Sequence, residues 1–166
     1  DARTTARCAG GDHAAAQAFG RRDEAGDAVA LSVRARALRG DTDAVIVELG
    51  ANDTLRGIDP KVTREALEGI VGRLRQRRIE VLLAGMRAPR NMGEDYAKAF
   101  DGIYDALAAK HGVLLYPFFL EGVAGDPALN QADGIHPTAA GVDVIVQRIS
   151  PKAEELLAQV RARRGG

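Results

Sequence analysis

A carboxylate stands three residues before an imidazole in the stretch Asp133-Gly134-Ile135-His136-Pro137. A histidine that acts as a general base needs a partner that holds its tautomer and stabilises its protonated form. A carboxylate in the same turn can do both, and Pro137 fixes the backbone direction just after the histidine. The spacing therefore indicates the Asp–His half of a hydrolase. The alternative is that Asp133 only caps a following helix, with His136 at a surface turn.

A second group of polar residues, Gly50-Ala51-Asn52-Asp53, follows the most apolar β-branched run of the chain. A side-chain amide at such a turn can donate a hydrogen bond to a developing oxyanion. The preceding glycine allows a tight turn and the close approach of a ligand. The alternative is an ordinary β–α turn, in which Asn and Asp are common because they bond to their own backbone.

The elements that must position these residues alternate between strands and helices. Asp59-Pro60 has the form of a helix start, with an N-cap aspartate and proline at the first helical position. Ser150-Pro151 is predicted to break or restart the last helix, with Ser150 as a cap. The predicted strands are Ala44–Leu49, Ile79–Ala84 and Val113–Tyr116. The predicted helices carry apolar residues at Val62, Leu67, Ile70, Val71 and Leu74, at Tyr96, Phe100, Ile103, Tyr104 and Leu107, and at Val142, Ile145, Val146 and Ile149.

This alternation is typical of a parallel sheet covered by helices on both faces. The 166 residues are enough for one domain with a sizeable core. We therefore expect one α/β domain, residues 1–166, with residues 1–41 atypical because they are rich in alanine, arginine and glycine and contain no confident strand. In such sheets ligands bind beyond the carboxyl ends of the strands, which is where the Gly50–Asp53 turn falls.

Composition excludes several classes of function. Lys plus Arg and Asp plus Glu each number 23, so no net basic field points to nucleic acid or to an anionic membrane. No apolar run approaches a membrane span, and the polar start Asp1–Thr4 is not a signal peptide. The single cysteine, Cys8, cannot form an internal disulfide. The histidines show no ligand spacing, and no phosphate-cradling glycine loop is present, so we expect neither metal nor cofactor.

Two blocks together carry a resemblance to a known family. The stretch Val45–Asp53 with Leu55–Gly57 resembles the third conserved block of the SGNH (GDSL) hydrolases, and Asp133–Pro137 resembles their fifth. Met86–Pro89 and Tyr116–Phe119 are similar to the thioesterase I, lysophospholipase and arylesterase group of that family. The resemblance covers residue 42 to the C-terminus. It implies a three-layer α/β/α sandwich with a flavodoxin-like parallel sheet.

The resemblance also implies roles for individual residues. His136 would be the general base, Asp133 its orienting acid and Asn52 an oxyanion-hole donor. The segment Thr54–Asp59 would be a mobile loop along an acyl-binding groove. Leu55, Pro89 and Met92 would contact the substrate, although loop packing explains Pro89 and Met92 equally well; Arg56 is expected to be a solvated loop charge.

The family's Gly-Asp-Ser nucleophile block is absent. The only serines are Ser32 and Ser150, and neither lies in a strand-to-helix elbow. Cys8 is a thiol near the expected position, but its neighbours do not match the block, so both Ser32 and Cys8 are poor candidates and the nucleophile stays unknown. Gly26, in a Gly-Asp pair, is a weak candidate for the second oxyanion donor. Three explanations stay open: a missing nucleophile strand, a sequence that begins after it, or a shifted reading frame across residues 1–41.

The implied function is hydrolysis of acyl esters or thioesters, arylesterase- or lysophospholipase-like, through a serine-type acyl-enzyme. The partner would be a small acyl ester or thioester, with no nucleic acid and no membrane span. The rival is an inactive acyl- or lipid-binding relative that lacks the nucleophile; a third possibility is a damaged domain. Oligomeric state and compartment stay open, the resemblance allowing a periplasmic or secreted enzyme.

Overall fold

The computed structural model describes residues 42–165, and these form a parallel sheet with helices on both faces. Three strands lie in the order β1-β2-β3, each paired in parallel with its neighbour. The strands are β1 Ala44–Glu48, β2 Glu80–Ala84 and β3 Leu114–Tyr116; the helices are α1 Ala51–Leu55, α2 Pro60–Gln76, α3 Glu94–His111 and α4 Ala139–Gly165.

Helices α2 and α3 cover one face of the sheet. Helix α2 connects β1 to β2, and α3 connects β2 to β3, so the chain moves across the sheet in one direction. Because such connections are right-handed, both helices lie on the same face. The core on this side joins Val47 and Leu83 of the strands to Leu67 of α2 and Phe100 of α3. Leu67, Leu83 and Phe100 have no exposed side-chain surface.

Helix α4 covers the opposite face. Its Leu156 packs with Leu82 of β2 and Tyr116 of β3, and Ala44 and Leu114 border this second core. Since side chains alternate along a strand, neighbouring β2 residues serve the two cores in turn. The described residues therefore form the three layers of an α/β/α sandwich.

The predicted helix start at Asp59-Pro60 is confirmed, and the three predicted strands are confirmed to within a residue at each end. Asp59 is the N-cap of α2, and its carboxylate accepts a hydrogen bond of 2.8 Å from the Lys61 backbone N–H. Gly112 ends α3 in the left-handed conformation, with φ +60°. On α2 the buried position is Thr63 and not its neighbour Val62, which is 36% exposed.

The predicted break at Ser150-Pro151 is wrong. Pro151 lies inside α4, and Ser150 is not a cap, since its hydroxyl donates to the Val146 carbonyl one turn earlier at 2.6 Å. A proline within a helix costs about 3 kcal/mol. Beyond the proline, Leu156 and Val160 are buried, and burial of two such side chains offsets that cost at about 1.5–3 kcal/mol each.

Candidate functional site

Asn52 lies on α1, directly beyond the carboxyl end of β1. Gly50 leads into this short helix with φ +108°, a conformation that favours glycine. A Cβ atom at Gly50 would lie 2.3 Å from the Tyr104 hydroxyl oxygen. The predicted turn is therefore a glycine pivot followed by one helical turn, and the exposed side chain of Asn52 is accessible to a ligand.

Asp53, the next residue, serves the structure of the turn. Its side chain is buried and accepts a hydrogen bond of 3.0 Å from the Thr63 hydroxyl on α2. Burial raises the pKa of the Asp53 carboxyl, while the Thr63 hydrogen bond and the Arg56 charge act in the opposite direction. The sequence interpretation missed Thr63, although Thr63, Leu67 and Ile70 follow helical spacing.

Asp133 and His136 form the hydrogen-bonded pair that their spacing predicts. Asp133 Oδ2 lies 2.7 Å from His136 Nδ1. Asp133 Oδ1 accepts hydrogen bonds from the backbone N–H groups of Ile135, at 2.9 Å, and of His136, at 3.0 Å. Gly134 permits this tight turn with φ +69°. The carboxylate thus fixes both the ring and the backbone of the histidine.

This geometry assigns the two ring nitrogens different roles. The Asp133 carboxylate accepts a hydrogen bond from Nδ1–H of His136. A neutral His136 therefore carries its proton on Nδ1 and presents Nε2 as a proton acceptor. The hydrogen bond from the His136 side chain, with the two backbone bonds, holds the pKa of Asp133 well below its ordinary value. The His136 side chain is 70% exposed, so a reacting group can reach Nε2. The pair can hold, accept and return a proton.

The segment before α4 anchors the pair. The Gln131 backbone N–H donates to the His136 carbonyl at 2.7 Å, and Asn130 and Pro137 form an isolated antiparallel bridge. The Asn130 side-chain amide, which is buried, donates to the Val123 carbonyl at 2.6 Å. Asn130 is a second residue that the sequence interpretation missed.

The structure brings Asp133 and His136 together but does not join them to Asn52 by a hydrogen bond within residues 42–165. Asn52 follows β1, whereas the pair follows β3, and β2 lies between these strands. Parallel strands present their carboxyl ends at one edge, and two strand spacings amount to about 10 Å. All three residues therefore lie on connections that leave the same edge of the sheet.

The other predicted site residues stand as follows. Leu55 is 47% exposed at the end of α1, and Pro89 immediately precedes a 3-10 turn, Arg90–Met92. Met92 lies close to Gly57 in the loop after α1: a Cβ atom at Gly57 would be 3.2 Å from the methyl carbon of Met92. Arg56 is exposed, as expected of a solvated charge. The candidates Cys8, Gly26 and Ser32 lie outside the described residues.

A groove of about 430 Å³ lies elsewhere, between the 3-10 turn and the start of α3. Its charged lining residues are Arg90, Glu94, Lys98 and Asp101, and it contains none of the predicted site residues. Over residues 42–165 the structure has no group of three or more His, Cys, Asp or Glu side chains placed to hold a metal ion. In the same part of the chain, no helix combines the length and the apolar character that crossing a membrane requires.

Fold and site together define a three-layer α/β protein with a hydrogen-bonded Asp–His pair on a connection beyond the carboxyl edge of its parallel sheet. A profile of the GDSL-like lipase/acylhydrolase family matches residues 2–144. The chain belongs to the GDSL-like lipase/acylhydrolase family, and its fold is that of the SGNH hydrolases.

Curated relatives and solved structures agree with this assignment. Esterase TesA of Pseudomonas aeruginosa is 41% identical over 113 residues, which are 68% of this chain and 56% of that protein. Thioesterase 1/protease 1/lysophospholipase L1 of Escherichia coli K12 is 39% identical over 113 residues, 68% of this chain and 54% of that protein. This chain thus spans little more than half the length of these relatives.

Two solved structures are similar to the described residues. The crystal structure of TesA superposes with a TM-score of 0.65 at 40% identity, over 68% of this chain and 63% of that one. AlinE4, an SGNH-hydrolase family esterase, superposes with a TM-score of 0.54 at 50% identity, over 69% of this chain and 61% of that one.

The close contact between Gly50 and Tyr104 predicts that a side chain at position 50 destabilises the fold. We expect Gly50→Ala to lower the free energy of unfolding by about 2–4 kcal/mol, because the strained backbone and the displaced Tyr104 hydrogen bond both contribute. The matched control is Gly102→Ala within α3, where a Cβ meets nothing within 4 Å; this substitution should stabilise by about 0.5–1 kcal/mol. Urea denaturation measures both. Equal effects of the two substitutions would contradict the close approach.

The hydrogen bonds of Asp133 predict that its carboxyl titrates at unusually low pH. NMR of the side-chain carboxyl carbon should show Asp133 titrating well below the usual aspartate value of about 3.9. The ionised carboxylate then stabilises the fold above about pH 4, and this stabilisation is lost as pH falls through the folded-state pKa.

His136→Ala should raise that midpoint only part of the way, because the two backbone N–H donors remain. An unchanged midpoint in His136→Ala would show that the ring bond is absent in solution.

Proposed function

We propose that the protein hydrolyses acyl esters or thioesters through a covalent acyl-enzyme, within one domain that comprises residues 1–166. The observation that carries the proposal is the 2.7 Å bond between Asp133 Oδ2 and His136 Nδ1, which leaves Nε2 as the base. The names of the relatives, which include an esterase and a thioesterase/lysophospholipase, support this reaction class.

Each residue would act at a stated step. A nucleophilic hydroxyl of the protein loses its proton to His136 Nε2 while its oxygen bonds to the acyl carbon. The negative charge that develops on the carbonyl oxygen would be stabilised by the Asn52 side-chain amide and by backbone N–H groups. His136 then returns the proton to the departing alcohol or thiol. Water repeats the sequence to release the acid.

Asp133 would stay ionised throughout. Its low pKa comes from three hydrogen bonds that persist when the imidazole is protonated. A protonated imidazole beside this carboxylate gains a charged partner, which favours the proton transfer to Nε2. Within residues 42–165 the single serine, Ser150, donates its hydroxyl to the Val146 carbonyl inside α4, so we do not assign it as the nucleophile.

Hydrolysis of a chromogenic short-chain acyl ester tests the proposal. Asn52→Ala should fold normally but lose about 10²–10³-fold in kcat, the usual effect of removing one oxyanion donor. His136→Ala should lose at least about 10³-fold because it removes the base. The matched control is Gln147→Ala, which removes an exposed amide on α4 and should leave kcat unchanged.

The outcomes separate the function classes. Turnover that depends on His136 supports the enzyme, whereas a folded chain with no turnover that still binds a fatty-acyl ligand is an acyl-binding relative. Turnover that His136→Ala leaves intact would remove the pair from the reaction.

A further inference from the structure

Three aromatic residues form a continuous column along α3. Tyr96, Phe100 and Tyr104 recur at intervals of four residues, which places them on one face of the helix. The rings of Tyr96 and Phe100 are stacked, with centroids 6.1 Å apart and planes 9° from parallel. Phe100 and Tyr104 meet edge to face at 6.0 Å and 67°. Each ring therefore fixes the position of the next.

The hydroxyl groups at the two ends of this column bond to one segment of the chain. Tyr104 donates to the Leu49 carbonyl at 2.8 Å, immediately before the Gly50 pivot. Tyr96 donates to the Ile58 carbonyl, also at 2.8 Å, immediately before the Asp59 cap of α2. The segment between these anchors, residues 50–57, contains Asn52.

This segment needs external anchors. Helix α1 has five residues, whereas isolated helices below about 12 residues are marginal in water. Its middle is held by the buried Asp53–Thr63 bond, and its ends are held by the two tyrosines. The pKa of Tyr104 is raised by burial and by the nearby Glu48 carboxylate, so its hydroxyl stays protonated and remains a donor.

We propose that Tyr104 and Tyr96 are positioning residues, whose hydroxyls hold the two ends of segment 49–58. Tyr104 holds the end nearer Asn52 and so fixes the direction of the side-chain amide. Tyr96 holds the far end and so fixes the loop that carries Leu55. The consequence for turnover rests on the proposed function; the consequence for the segment itself does not.

Three phenylalanine substitutions test the structural part. Tyr104→Phe and Tyr96→Phe remove only a bonded hydroxyl, and Tyr116→Phe is the matched control because the buried Tyr116 hydroxyl has no partner among the described residues. Amide hydrogen exchange reports the segment without substrate. The Asp53 and Thr54 amides donate to the Gly50 carbonyl, and the Ile58 amide donates to the Asp53 carbonyl.

We expect Tyr104→Phe to lower protection at Asp53 and Thr54 by about five- to tenfold, the contribution of one neutral hydrogen bond. Tyr96→Phe should lower protection at Ile58 to a similar extent. Amides of β2 should keep their protection in both variants, which distinguishes a local loosening from global destabilisation. The proposal would be overturned if amide protection in segment 49–58 were the same in Tyr104→Phe and Tyr96→Phe as in the control Tyr116→Phe.

Kinetics test the consequence for the reaction. Tyr104→Phe should lower kcat on a short ester while KM stays the same, because it misplaces a transition-state donor. Tyr96→Phe should raise KM for long acyl chains more than for short ones, because it releases the loop. In an active parent enzyme, loosened exchange with unchanged kcat and KM would overturn the positioning role.

A parent without turnover would refute the proposed function alone. The exchange comparison would still decide whether the two hydroxyls hold segment 49–58.

Discussion

The carboxyl end of β1 approaches α3 so closely that only a glycine fits between them. The Tyr104 hydroxyl occupies the space that a Cβ at Gly50 would need, and it bonds to the carbonyl of Leu49. This contact fixes where the chain leaves the sheet. The direction of α1, the exposure of Asn52 and the burial of Asp53 against Thr63 all depend on that exit point. A helix on one face of the sheet thereby sets the geometry of a site at its edge.

The Asp133–His136 pair depends on a different and more local constraint. The carboxylate bonds to the ring and to two backbone N–H groups of the same turn, so the pair is assembled by residues close in sequence. The Asn130–Pro137 bridge and the hydrogen bond from the Gln131 backbone N–H to the His136 carbonyl hold this turn ahead of α4. The Asp133–His136 pair and the Asn52 side chain are thus held by separate sets of contacts, and a change at one need not disturb the other.

Sequence predicted those features that depend on local chemistry. The Asp59-Pro60 helix start, the alternation of strands and helices and the Asp133–His136 contact each follow from residues within a few positions of one another. Features that depend on distant contacts were missed or wrong. Thr63 is buried because Asp53 meets it across the turn, and α4 continues through Pro151 because Leu156 packs on β2 and β3. The family blocks pointed to Asn52, whereas its anchoring by Tyr96 and Tyr104 spans 38 and 55 residues of sequence.

The proposed mechanism requires that His136 activate a nucleophile of this chain. Labelling with a fluorophosphonate ester tests it most directly, because the activated oxygen bonds to phosphorus, fluoride leaves and one phosphonyl group is added. We expect a single adduct by intact mass on the native protein and none on folded His136→Ala, with peptide mapping identifying the nucleophile. A folded native protein that takes no adduct, or an adduct that forms equally on His136→Ala, would contradict it.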